Sequence, residues 1–595
     1  MHRYEIRCGK LYFLFETFNK QLKTSIQVEN DKGNQFFDRE KVPFLIFFHR
    51  GKNKEQELRE MTVTKVTQFA KGKDSLTEVC GEVEDIEIRI SFLSQHTGHL
   101  TINVTARSDA KISRPLSLHC PFLAHLRAPE DGKTYYPGEI AEKRNGKGAV
   151  VNNPLFPLPY VLTDREDSLG IEVQFQTAST LEVAVQNRNV ELQKIASGKE
   201  MEEHRLSIRL NQSMATIFEL KMHVLDAGWR EVFSSCREDF LQEIDASEYQ
   251  RDDIAWMNNC FLHHFTYLYG NEVYDYENNK VDVKRLLEEG KSFGGYDSIT
   301  LWHQYPRLGI DKRNQWDFFN DFPKGIEGLK EIIQVAHNEG VKVFLPYKPW
   351  DIGEGESMQE VGKKVADLVK RTDADGLFLD TMDRAPQGVR ESLDEAKSGV
   401  VLCSEAQPIE QKALEVLTSS WDQYWDTYAM PEINIVRFAL PQHATPVICR
   451  WATLEEKDDM ILRAMLNGTG IVIWQDVFGS WLPFTKQQKE KIAEYKGIWM
   501  RYQKVFGGRN PIPLFPTAKK ELICNQFVED GEKRVIFALY NDGDQPINGI
   551  LLQTHLKWEN AKCSTLWGDK ITLDEEGNCV GTISPGELSM VCISG

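Results

Sequence analysis

Two carboxylates stand where apolar runs stop abruptly. Asp380 follows Gly376-Leu377-Phe378-Leu379 in ADGLFLDTMD, and Glu405 ends the run of VVLCSEAQP. Short uninterrupted apolar runs bounded by polar residues read as strands buried on both faces, as in a parallel sheet. In a closed parallel barrel, a carboxylate at the C-terminal end of such a strand sits where chemistry is done. One aspartate after one strand is explained as well by capping of the next helix. Recurrence weighs against that explanation.

Further polar and aromatic residues fall at the ends of similar runs. LPYKPWD carries Lys348, Trp350 and Asp351, and the run before it ends in Trp302 and His303. DQYWDTY carries Trp425 and Asp426, the next run ends in Arg450 and Trp451, and the last gives Trp474 and Asp476. Arg384 lies just beyond Asp380 and Asp383. Carboxylates interleaved with tryptophans suit sugar chemistry. Pyranose faces stack on indoles, hydroxyls bond to carboxylates, and glycosidic cleavage needs two carboxyl groups in different protonation states. Taken singly, each tryptophan is as well read as a core residue; together at strand ends they are poorly explained by packing.

Other chemistries find less support. The histidines form no HxH or HExxH pair, and the adjacent His263 and His264 would point to opposite faces of a strand, so no metal is expected. Gly290-Lys291-Ser292-Phe293-Gly294 matches GxSxG in letters only, since its glycines read more simply as a turn before the second strand than as a strand-to-helix elbow; neither GxGxxG nor GxxxxGK[ST] occurs, so no nucleotide cofactor is expected.

The elements that must position these residues follow from the patterning of the 595-residue chain. Residues 1–227 alternate apolar and polar, as in Ile86, Ile88, Ile90 and Phe92, then Leu100, Ile102 and Val104, then Phe218 to Val224. That predicts an N-terminal antiparallel β-sandwich. Residues 228–258 read as a helical linker. Between 259 and 508, eight strands are predicted at 260–270, 296–305, 341–350, 375–380, 400–405, 423–430, 446–451 and 470–475, with helices between them. Ile326, Leu329, Ile332, Ile333 and Ala336 share one helical face, for example. Eight such repeats in about 250 residues match a (β/α)8 TIM barrel. Residues 509–595 return to alternation, with Val535, Phe537 and Leu539 on one face, and predict a small antiparallel β-sandwich.

The formal charge of −18 argues against a nucleic-acid partner. No apolar run is long enough to span a bilayer, and the N-terminus lacks the apolar core of a signal peptide. Eleven cysteines, an odd and scattered set, fit reduced thiols, so a cytoplasmic location is expected. Oligomeric state is not legible.

The domain order, GLFLDTMD and VVLCSEAQP together resemble retaining α-glycoside hydrolases. Two groups are similar: the endo-α-N-acetylgalactosaminidase-like families, and the α-galactosidase and α-glucosidase clan. The resemblance implies a carbohydrate substrate, Asp380 as nucleophile and no cofactor. By likeness to the first group the acid/base is Glu405; by likeness to the second it is Asp426. The Lys-x-Asp of many α-galactosidases is Phe378-Leu379-Asp380 here, and the amylase-type Arg-x-Asp is missing. Trp302, His303, Lys348, Trp350, Asp351, Arg384, Trp425, Arg450, Trp451, Trp474 and Asp476 are the expected substrate contacts. The rival readings are a non-catalytic carbohydrate-binding barrel, and an isomerase or transglycosylase using the same carboxylates.

Overall fold

The computed structural model describes residues 2–31, 36–37, 41–43, 46–50, 56–108, 114–119, 134–136, 150–152, 160–164, 166–177, 206–210, 215–303, 313–352, 357–408, 410–424, 433–449 and 454–595. The chain divides into two compact units. One comprises Met1–Ile140, Arg144–Pro154 and Leu158–Cys236; the other comprises Ala141–Lys143, Leu155–Pro157 and Arg237–Gly595.

In the first unit the alternating segments form a thirteen-stranded sheet and a separate four-stranded sheet. Ile86–Ser94 pairs antiparallel with His99–Ser108, which pairs in turn with Ala215–Leu225, so the three alternating runs are neighbours. The large sheet folds back on itself. Phe13 and Phe15 lie 5.1 and 5.6 Å from Phe92 by ring centroids, yet three strands separate theirs from that of Phe92 in the sheet order. A flat sheet would hold them about 19 Å apart at ~4.8 Å per strand. Their burial follows from that curl, and one apolar core fills it.

The second unit begins in the helix Trp229–Glu243, which is followed by the 3-10 turns Ser247–Gln250 and Ala255–Asn259. A nearly closed parallel sheet of nine segments comes next. In chain order these are Leu262–Tyr267, Ser298–Trp302, Lys342–Tyr347, Gly376–Leu379, Val401–Ser404, Ser419–Ser420, Asp422–Tyr424, Val447–Cys449 and Ile471–Ile473. The two ends of the sheet, Ser419–Ser420 and Asp422–Tyr424, are separated in the chain only by Trp421. Sequence placed a sixth strand at 423–430, but pairing starts four residues earlier, and 425–430 lie outside the described residues.

Helices connect the segments. Gly325–Asn338 buries the predicted apolar face, Ile326, Leu329, Ile332, Ile333 and Ala336. Met358–Thr372 starts from a Ser357–Glu360 capping box and ends at Asp373 in the left-handed region. The interior is aromatic, with Phe265, Phe344, Phe378 and Trp421 in one core cluster.

The C-terminal strands form a four-stranded and a three-stranded antiparallel sheet. Alternation had suggested one buried face for Arg534–Asn541; every residue after Arg534 is buried. The second face is covered by helices, as Phe527 of the adjoining strand shows by packing against Phe438 and Phe506 at 5.8 and 5.2 Å. Among the described residues no helix is long and apolar enough to cross a membrane.

Candidate active site

Strand periodicity decides which side chains enter the barrel mouth. Phe378 and Cys403 belong to the interior cluster, and they are partners in the parallel register. Side chains two residues on face the same way, which directs Asp380 and Glu405 inward at the C-terminal ends of adjacent strands. The ladder extends to them: the Glu405 N–H donates to the Leu379 carbonyl at 3.1 Å, and that of Asp380 to Tyr347 at 3.0 Å. Each carboxylate residue is 7% exposed.

Thr381 ties the two positions together. Its N–H donates to Glu405 Oε2 at 2.6 Å, from a backbone with φ of 59°. A β-branched residue in the left-handed region is strained. Here the strain aims an amide at the neighbouring strand's carboxylate. Glu405 is anchored a second time, its carbonyl accepting from Gln423 Nε2 at 2.7 Å.

By the same periodicity Lys348 follows interior Phe344 by four residues and faces inward. Its ammonium lies 4.3 Å from the Trp302 ring centroid and 5.2 Å from that of Trp350. Burial lowers its pKa to about 8, against the opposing pull of the Asp351 and Asp380 charges. Asp351 is itself raised, by burial first, with Lys348 working to lower it.

Gln315 holds this turn. Its Nε2 donates to the carbonyls of Lys348 and Asp351 at 2.7 and 2.8 Å, and its Oε1 accepts the Lys348 N–H at 2.9 Å. Sequence offered no signal for that role, since Gln315 reads as an ordinary first-turn helix residue.

The remaining expected residues separate into groups. Trp302 and Trp474 do line the interior, but each is only 3% exposed and both pack around Tyr267, at 5.3 and 6.4 Å. Trp474 Nε1 also donates to the Asp476 carbonyl at 2.8 Å. Trp350 is 40% exposed and offers a ring to solvent beside Lys348. Phe478, which sequence did not single out, is comparably exposed and lies 5.4 Å from Trp474. The Asp476 carboxyl is raised by burial and accepts from the Gly479 N–H at 3.0 Å.

His303 goes elsewhere. It is fully buried, stacked on Phe319 at 4.9 Å and edge-on to Phe318 at 5.3 Å, both on the helix Gln315–Asp321. Burial, aided by the Lys348 charge, holds its pKa far below the usual imidazole value. Arg384 pairs with Asp383 at 3.0 Å and Glu410 at 3.1 Å, whereas the Lys348 ammonium interacts with the Asp380 charge. Trp425, Asp426, Arg450 and Trp451 lie outside the described residues.

His263 and His264 do point to opposite faces. His263 Nδ1 lies 2.6 Å from the Ser298 hydroxyl, while His264 Nε2 lies 3.4 Å from Glu272. The ten described cysteines are free thiols.

No family model matches the chain, and no curated protein matches it. Solved structures do. It is similar to the GH36 α-galactosidase AgaB from Geobacillus stearothermophilus, at 10% identity and a TM-score of 0.45, over 100% of this chain and 98% of that one. It is similar to the α-galactosidase from Lactobacillus brevis, at 8% identity and a TM-score of 0.48, over 100% and 98%. A β-arabinopyranosidase matches at 9% identity and a TM-score of 0.46, over 99% and 100%. At these scores the functional reading rests on the geometry of the site itself.

Proposed function

We propose that the chain is a retaining glycoside hydrolase acting on an α-linked carbohydrate, with a (β/α)8 barrel whose sixth stave is interrupted at Trp421. The observation that carries this reading is the pairing of two inward, nearly buried carboxylates on adjacent strands, coupled through the Thr381 amide. Asp380 attacks the anomeric carbon and forms a glycosyl-enzyme ester while the aglycone leaves. Glu405 gives its proton to the departing oxygen, then removes one from the water that hydrolyses the ester. Lys348 supplies opposite charge to Asp380, and Trp350 offers an exposed face to a pyranose.

A second reading has its own support. The Thr381 hydrogen bond favours the ionised form of Glu405, whereas a general acid must start protonated. In that reading Asp426 is the acid/base and Glu405 positions the loop after Asp380.

Azide rescue with activated aryl α-glycosides decides among these. Asp380→Asn is expected to lose at least about a thousandfold in turnover, comparable to other losses of one reacting group, with unchanged circular dichroism. Azide should restore it as the inverted β-glycosyl azide. Glu405→Gln should keep activity on good leaving groups and yield the retained α-azide. If Asp426→Asn gives the α-azide instead, the second reading stands. Activity of Asp380→Asn close to wild type removes both.

A further inference from the structure

The strand-to-helix connections of a parallel barrel gather at the mouth that holds Asp380 and Glu405. Among the described residues five Phe, Tyr and Trp rings are exposed. Phe69 belongs to the first unit, whereas Tyr276, Trp350, Phe478 and Trp481 all lie on these connections of the second. Rings that served packing alone would be covered, as those of Tyr267, Trp302 and Trp474 are.

Phe478 is held in place at a cost. The short strands Asp476–Val477 and Ser480–Trp481 form a hairpin just after the last barrel strand, with Phe478 and Gly479 as its two turn residues. Both have positive φ, 50° and 85°. Such a turn prefers Asn-Gly, and a bulky residue in the left-handed region is strained. The turn is nevertheless fixed. The Gly479 N–H donates to Asp476 Oδ1 at 3.0 Å, and the Leu482 N–H donates to the Gln475 carbonyl at 2.7 Å. The Phe478 ring is thereby kept 46% exposed, 5.4 Å from Trp474 and 6.1 Å from Tyr267. Packing does not account for a strained residue that leaves so much of its ring in water.

Ring contacts continue from Trp474 to Phe265 at 4.7 Å and from Phe265 to Phe378 at 5.7 Å. The strand of Phe378, Gly376–Leu379, leads into Asp380. The exposed ring is thus continuous with the floor of the candidate site. In the sheet order the strand before the hairpin stands four staves from that of Asp380 in either direction. Eight staves ~4.8 Å apart and tilted by ~36° enclose a mouth about 15 Å across, wider than one pyranose. A sugar in contact with Asp380 therefore leaves the Phe478 ring to its neighbour in a chain. We propose that the substrate is a neutral oligosaccharide, and that Phe478 stacks on the sugar residue next to the one attacked by Asp380. This rests on the carbohydrate reading above and names a substrate class within it. Neutrality follows from charge: Asp380, Glu405 and Asp476 stand at this mouth in a chain of net charge −18, which disfavours an anionic glycan.

Isothermal titration calorimetry on the Asp380→Asn chain, which holds ligand uncleaved, tests this. The probes are α-linked galactose, glucose and mannose oligosaccharides of two to four residues, each compared with the methyl α-glycoside of its terminal sugar. At least one oligosaccharide is expected to bind about tenfold tighter than its methyl glycoside, the worth of one aromatic contact. Phe478→Ala should remove most of that advantage, and Phe478→Trp should keep it. Phe478→Asn should also remove it while melting no lower than its parent, because asparagine suits the left-handed turn. That variant carries the test if the alanine variant misfolds. An advantage that survives the asparagine replacement, or a panel in which no oligosaccharide outbinds its methyl glycoside, overturns the proposal. Azide rescue reads the Asp380 chemistry on aryl glycosides of a single sugar, so the hydrolase reading stands or falls separately.

Discussion

Lys348 is unfavourable for stability and, in the proposed mechanism, useful for chemistry. It is fully buried, and burial lowers its pKa from 10.5 to about 8 despite Asp351 and Asp380. The folded value lies below the unfolded one. Between about 8 and 10.5 the unfolded chain therefore holds the extra proton, and stability rises with pH across that window. Below it the penalty is constant, on the order of 2–4 kcal/mol. Activity should run the other way, because a neutral amine no longer supports the Asp380 carboxylate. We expect kcat/KM to fall as pH rises through about 8, and Lys348→Met to lose that limb while melting higher at pH 7. A flat wild-type profile from neutral pH to the deprotonated range would separate Lys348 from the reaction.

At the scale of elements, the two ends of the parallel sheet flank Trp421 in the chain, and the support of Asp422 at one of them is ionic. Asp422 accepts from Arg463 at 2.8 and 3.0 Å, with both side chains 4% exposed. Trp421 beside it stacks on Phe378 at 4.2 Å. Removing one partner of a buried pair leaves a charge without compensation, which costs about 3–5 kcal/mol. Asp422→Ala should therefore destabilise strongly, whereas a volume-matched apolar replacement of both residues should be far milder. Denaturant unfolding of the two variants checks this; equal losses would show that the pair is not acting as a pair.

The same region shows what the sequence could reveal. Strands ending in Asp380 and Glu405 were legible because each is an uninterrupted apolar run. The sixth was displaced because Ser419 and Ser420 are polar yet wholly buried, and Trp421 interrupts the pairing. Inward and outward directions were equally hidden. His303 and Trp302 are neighbours in sequence, so one had to leave the mouth, and only helix packing reveals which. Thr381 and Gln315 were missed because a left-handed backbone and an amide clamp leave no compositional trace. In the first unit alternation identified strands, but not that one sheet curls until Phe13 meets Phe92.

At the scale of the molecule, the trailing strands behave as part of the barrel's covering. Asn525 Nδ2 donates to the Leu466 carbonyl at 2.9 Å, closing the end of the helix Leu454–Asn467. Phe527, Phe438 and Phe506 are at most 1% exposed. Cutting the chain after residue 508 would uncover Phe438 and Phe506, strip the Asn525 amide from the Leu466 carbonyl, and expose the aromatic face that Phe527 covers. Losing the burial of one large aromatic side chain costs about 3–5 kcal/mol, and whole domains are stable by only about 5–15 kcal/mol. The fragment 1–508 is therefore expected to aggregate or melt far below the full chain, although every candidate catalytic residue is present in it. Phe527→Ala in the full chain gives the graded version: a lower melting temperature with kcat unchanged at temperatures where it is folded. A stable, fully active 1–508 fragment would show that the barrel needs no such covering.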